Sequence, residues 1–188
     1  LVENGTHVLF GTQVAGRRTG ELALAKGTLP WLKPGMLCLA DRYFFGFEFW
    51  QQARATGADL LWRVKKNLQL ACEKRLADGS YLSHIYPSQY DRQPQRIGVA
   101  VRVIEYQLDG VAGAEPLYRL LTTILDHELA PAQELAALYH ERWEIETSLD
   151  ELKTHLRGAR IVLRSKTPEL VQQEFYGLMM AHFAIRGL

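Results

Sequence analysis

Four polar residues at a regular spacing, Tyr139, Arg142, Glu146 and Lys153, carry the chemistry that stands out in this sequence. At roughly 100° per residue on an α-helix they fall within an arc of about 60°. Leu138, Ile145, Leu149, Leu152 and Leu156 take the adjoining arc. The quartet therefore borders a core-facing stripe and does not point into open water. A carboxylate flanked by a guanidinium, an ammonium and a phenol at the edge of a core is what a phosphodiester site requires. Asp150 lies about 20° from Tyr139 on the same face and is a rival acid that spacing does not exclude. Glu144 and Glu151 point well away.

The element that must carry the quartet reads as one long helix from about Ala130 to Gly158. Pro131 suits the first helical position, where a missing N–H is harmless, and Gly158 suits a C-terminal stop. His140 on this helix is expected to face solvent. Upstream, Met36-Leu37-Cys38-Leu39-Ala40 is a continuous apolar run of strand length, which predicts a strand covered on both faces of a central sheet. It ends in Asp41-Arg42-Tyr43-Phe44. In open α/β sheets functional groups gather at the carboxyl ends of such strands. An Asp there can ligate a divalent metal; a turn or helix N-cap Asp is the structural alternative.

The rest of the chain alternates in the same way. Residues 6–14 are rich in β formers and predict a strand, and Glu21 to about Leu29 a short helix closed by Pro30. Phe47 to about Thr56 is helical, and Leu60–Val64 is a second buried-type strand followed by Lys65-Lys66-Asn67. From residue 68 to 125 the character changes. Asp78-Gly79 signals a hairpin. Residues 87–96 form a polar loop, Ile97 to Val103 alternate with period two, Asp109-Gly110 signals another turn, and Leu117–Leu125 is a last strand. This stretch reads as a β-rich insertion between two α/β parts, 1–67 and 126–188. Thr167 as N-cap and Pro168 as first residue open a final helix, apolar nearly all round and so expected to be buried.

At 188 residues the chain suits one domain, and an apolar content of 47% is that of a globular protein. No apolar run approaches the ~20 residues of a membrane span. Cys38 and Cys72 have no metal or redox spacing, and Cys38 is expected in the core. The cytoplasm is the expected compartment. The net charge of +1 does not describe a general polyanion binder. The charge is uneven, however: residues 141–151 are acidic, and residues 153–166 carry Lys153, Arg157, Arg160, Arg164 and Lys166 with no acid. Metal ions beside phosphates and ordinary matching of the helix dipole both fit that pattern.

Tyr139-x2-Arg142-x3-Glu146-x6-Lys153 resembles the Y-R-E-K signature of insertion-sequence transposases of the IS4 type. The segment Asp41-Arg42-Tyr43-Phe44 on an apolar strand is similar to that family's second-Asp motif, and a β-rich insertion before the Glu helix is a further likeness. The resemblance spans essentially the whole chain. It implies an α/β, ribonuclease H-like fold and an Asp-Asp-Glu active site that cleaves DNA and transfers strands at insertion-sequence ends. By this resemblance Asp41 and Glu146 are catalytic and metal-binding acids, for two Mg²⁺ or Mn²⁺ ions in the complete enzyme. Tyr139, Arg142 and Lys153 would hold the DNA end, and Trp143 would stack on a base or pack in the protein. A homodimer holding two ends is implied as well.

One feature departs from the pattern. The triad needs a first Asp upstream of Asp41, and residues 1–40 contain none. The expectation is a truncated catalytic domain, inactive by itself. A ribonuclease H-like nuclease without strand transfer, and a non-catalytic DNA-binding or dimerisation remnant, are the alternatives.

Overall fold

The computed structural model describes residues 1–16, 18–88, 98–108, 115–143 and 165–186. In chain order its elements are α1 (Glu21–Thr28), β1 (Leu37–Ala40), α2 (Phe47–Arg54), β2 (Asp59–Arg63), β3 (Lys74–Arg75), β4 (Tyr81–Ile85), β5 (Val99–Tyr106), β6 (Tyr118–Thr122), α3 (Ala132–His140) and α4 (Pro168–Arg186). Short 3₁₀ turns occupy Leu29–Trp31 and Glu141–Trp143. The chain divides into two compact units, Leu32–His140 and Leu1–Trp31 with Glu141–Leu188.

The unit Leu32–His140 is built on one six-stranded sheet in the order β1-β2-β6-β5-β4-β3. β1 and β2 run parallel, and the other pairings are antiparallel. The strands of residues 68–125 thus continue the sheet begun by β1 and β2. Neighbouring residues of β2 explain how it is covered. Successive side chains of a strand point to opposite faces. Trp62 packs against Phe49 and Trp50 of α2, with ring centroids 5.2 Å away in each case. Leu61 joins Ile104, Leu120, Leu135 and Tyr139 in a cluster under α3. The two helices therefore take opposite faces of the sheet, and a strand buried on both sides reads as an unbroken apolar run. This mixed sheet flanked by helices is compatible with a ribonuclease H-like fold.

Several expectations need correction. β1 is as apolar as β2, yet it is half-buried throughout and forms the sheet's edge among the described residues. Leu37 and Leu39 pack against the α3 cluster, but β2 is its one described ladder partner. Cys38 is accordingly half-buried; its burial still pushes the thiol pKa up. Residues 6–14 do not form a strand. Val2 and Leu9 make an isolated antiparallel bridge. Gly5, His7 and Gly11 all have left-handed backbones, with φ of 90°, 60° and 57°, and an extended ladder cannot run through them. The long helix is also interrupted. α3 ends at His140 and a 3₁₀ turn follows, while residues 144–164 lie outside the described ones. α4 starts as expected, with the Thr167 hydroxyl accepting the Leu170 N–H at 3.4 Å. It is not buried all round: Met180 is 70% exposed and Phe183 58%.

The start of α3 rests on a charged residue. Arg102 of β5 is fully buried. Its Nε donates to Ser80 Oγ at 2.8 Å, and its Nη1 to the carbonyls of Ala130 and Asp126 at 2.7 and 3.2 Å. Its Nη2 pairs with the Asp78 carboxylate. Asp78 in turn accepts the Ala132 N–H, the first of α3, at 2.8 Å. The turn expected at Asp78-Gly79 is present, with Gly79 at φ 86°, and it delivers this carboxylate to the helix. Burial alone would raise the Asp78 pKa. Hydrogen bonds from Ser80 and Ala132 and the Arg102 charge outweigh it and hold the group at about 2, against an ordinary 3.8.

A depressed folded-state pKa stabilises the protein above the ordinary value and loses that effect as pH falls through the folded one. The contribution here is about 2 kcal/mol, complete above about pH 4 and lost towards pH 2. Asp78→Asn should cost about 3–5 kcal/mol at pH 7, because it leaves a buried cation unpaired. It should also flatten the acid dependence. Denaturant midpoints at pH 7 and pH 2 for both proteins test this; parallel losses in the two would exclude Asp78 as the titrating group.

Candidate active site

The carboxyl ends of β1 and β2 are where polar residues follow apolar strands. Asp41 comes directly after β1, in a turn closed by the Phe44 N–H donating to the Asp41 carbonyl at 3.0 Å. Its carboxylate accepts the N–H of Arg42, which fixes the start of the turn. Ala40 pairs with Trp62 at the end of the parallel ladder. Asp41 and Arg63 are the residues that follow this last pair.

α3 meets this edge from above. Tyr139 is buried, part of the cluster with Leu61, Ile104, Leu120 and Leu135. Its phenol donates to the Ala40 carbonyl at 3.3 Å, across 99 residues of sequence. The tyrosine of the helical quartet thus touches the peptide that leads into Asp41.

Residues that spacing did not single out complete the edge. Arg63 Nη2 and Arg42 Nη1 both donate to the same oxygen, Glu115 Oε1, each at 2.8 Å. The Arg63 guanidinium lies over the Tyr118 ring, 4.6 Å from its centroid. Tyr118 stacks on Tyr106 at 5.3 Å. His140 meets both rings edge-on, at 5.5 and 5.9 Å, so it does not face solvent as the helical spacing predicts. The last residue of α3 turns inward over aromatic rings that only the sheet register brings together. Burial pushes the Tyr106 pKa up, with Tyr139 and Tyr118 adding to it against Arg63, so its phenol stays neutral. The Glu115 carboxyl goes the other way: burial would raise it, but the hydrogen bond and charge of Arg63, with Arg42, hold it low. Arg63 had a signal in the sequence, as the charged end of an apolar strand. Glu115 had none.

Arg142 lies in the 3₁₀ turn Glu141–Trp143, which belongs to the other unit and ends in Trp143. Glu146, Lys153 and the rival Asp150 lie outside the described residues. Among the described residues no group of three or more His, Cys, Asp or Glu could hold a metal ion. Asp41 is a single hard oxygen donor at a strand end, which suits Mg²⁺-like ions as one ligand among several. No described helix is long and apolar enough to cross a membrane.

Comparison with known proteins gives the family. The transposase DDE domain family matches residues 1–184. The chain belongs to that family. It is 27% identical over 190 residues to the Escherichia coli (strain K12) transposase InsG for insertion sequence element IS4. That match takes in 98% of this chain and 42% of the InsG protein, so the chain spans less than half the length of this relative. The IS4-type likeness read from Tyr139, Arg142, Glu146, Lys153 and Asp41 is thereby borne out at the level of the family. The DDE family generally depends on divalent metal ions.

The Tyr139 contact can be measured on its own. Tyr139→Phe removes a single hydroxyl and should cost about 0.5–1.5 kcal/mol. Tyr139→Ala also opens a cavity in the α3 cluster and should cost about 3–5 kcal/mol. Urea unfolding of the two variants checks this; a Tyr139→Phe protein as stable as the wild type would mean that the hydroxyl bond to Ala40 adds nothing resolvable to ring packing.

Proposed function

We propose that this chain is catalytic-domain sequence of an IS4-type DNA transposase, performing metal-dependent cleavage and strand transfer at the ends of an insertion sequence. The observation that carries the reading is the hydrogen bond from Tyr139 to Ala40. It joins α3, which carries the first residue of the Y-R-E-K signature, to the end of the strand that leads into Asp41, and so supports a reading in which signature and Asp41 belong to one site. Residues 68–125 are, on this reading, a β-rich elaboration between the Asp41 strand and the segment that carries the Y-R-E-K signature.

In this proposal Asp41 and Glu146 are the acids of the triad contributed by this chain, and they would hold Mg²⁺ or Mn²⁺. When bound, such ions supply Lewis acidity to the phosphoryl oxygens and favour deprotonation of an attacking water or 3′-hydroxyl. The chain's own task is placement. Asp41 is fixed by its turn, and Tyr139 holds the preceding peptide. Arg142 and Lys153 would grip phosphates beside the cut, the first as a fork and the second as a point charge. Trp143 would stack on a base near the end. Two DNA ends require two such sites, so a homodimer is the expected working form.

Asp41→Asn and Glu146→Gln in the intact protein should each lower Mg²⁺-dependent cleavage of end-bearing DNA by more than about 100-fold. That exceeds the loss typical of outer-shell changes. DNA binding should persist, since the phosphate contacts remain. Gel assays of cleavage, joining and retardation read these separately. Full cleavage by Glu146→Gln would remove that residue from the site, and wild-type cleavage that never leads to joining would favour a nuclease.

A further inference from the structure

We propose that Arg42 and Arg63 form a binding pair for one phosphate of the DNA backbone, and that Glu115 occupies the phosphate position until DNA displaces it. The inference rests on the DNA-cleaving function proposed above. Two guanidiniums from different strand ends converge on a single carboxylate oxygen at 2.8 Å each. A phosphate oxygen accepts from paired guanidiniums with the same geometry and offers further oxygens for the remaining donors. The convergence lies at the strand end that leads into Asp41: Arg42 is its chain neighbour, and Arg63 follows Trp62, the ladder partner of Ala40.

The three residues are not held equally firmly, and the order of firmness suits an exchange. Arg63 is 13% exposed, with its guanidinium against the Tyr118 ring. Its position therefore does not depend on Glu115 alone. Arg42 is 48% exposed and Glu115 36%. Exposed pairs of this kind contribute little to stability and are screened by salt. Glu115 enters from the chain just before β6, with its N–H donating to Tyr118 Oη at 3.3 Å. Its side chain can swing out while Arg63 stays on the ring. A purely structural clasp would instead require Glu115 to be the group that holds the strand ends together. Arg63 is already tied to β2 and β6 through the ladder.

The test uses the intact protein and a fluorescent linear DNA duplex, with affinity measured over a range of salt. Arg42→Ala should reduce the slope of log K against log salt by about 1. Arg63→Lys, which keeps the charge but loses the fork, should weaken binding several-fold with the slope retained. Glu115→Gln, nearly isosteric, should tighten binding on the order of threefold or more, because it removes the competing charge. Unchanged slope in Arg42→Ala overturns the pair, as does weaker binding by Glu115→Gln with an unaltered thermal midpoint. Should Glu115→Gln lose stability, the exposed Arg42→Ala still decides the question. A wild-type protein without salt-dependent DNA binding removes the proposed function itself; binding with an unaffected Arg42→Ala slope removes this pair alone.

Discussion

A buried cation needs a counter-ion, and the arrangement around Arg102 follows from that need. Asp78 supplies the charge, but its carboxylate has more than one acceptor site. One oxygen also takes the first N–H of α3. The guanidinium has donors to spare, and they go to the carbonyls of Asp126 and Ala130 in the loop before the helix. One ion pair therefore joins β5, the β3–β4 turn and the β6–α3 loop. None of the three can shift without leaving a polar group unsatisfied in a dry place. Tyr139 lies seven residues beyond Ala132, about 10 Å along the helix. Its phenol reaches the Ala40 carbonyl because the helix start is pinned by a charge, not merely packed against the sheet.

An apolar core would also have held α3, and at lower desolvation cost. It would not have fixed the helix along its own axis. Leu135 and Tyr139 rest on Leu61, Ile104 and Leu120, and a greasy surface tolerates sliding better than a network with fixed donors and acceptors does. The other face of the sheet solves a different problem. Phe49, Trp50 and Trp62 bring large rings together there, and they need shape complementarity more than register. Charge fixes position on the face that leads to the candidate site. Aromatic bulk fills the opposite one.

This division explains what was legible in the sequence. β2 was readable because Leu60, Leu61 and Trp62 each have a covering partner, so composition alone carries the signal. Asp41 was readable because a polar residue ending an apolar strand stands out. Tyr139 was readable from its helical spacing, which holds as far as His140. Beyond it a 3₁₀ turn replaces the α-helix at Glu141–Trp143, which spacing at roughly 100° per residue did not foresee. Residues 6–14 misled for a similar reason, since β-forming side chains do not show that Gly5, His7 and Gly11 have left-handed backbones. Arg102 and Asp78 were invisible as partners. They are 24 residues apart, and only the pairing of β4 with β5 brings them together. Glu115 was hidden in the same way, 73 residues from Arg42.

The electrostatics of the strand ends then bear on how a chain with a net charge of +1 could handle DNA at all. Overall charge supplies almost no long-range attraction, so affinity must come from local concentration of cations. Arg42 and Arg63 are concentrated in this way, yet without DNA they would repel each other across a short gap. Glu115 offsets that repulsion, and Tyr118 spreads the Arg63 charge over a ring face. Tyr106 and Tyr139 add neutral phenols, not further charge, so the carboxylate of Asp41 keeps an edge in which neither sign dominates. An edge balanced like this stays folded without its ligand. Under the proposed exchange it gains net positive charge only when the Glu115 side chain moves aside, so the local charge offered to DNA would depend on the position of one side chain and not on the composition of the domain.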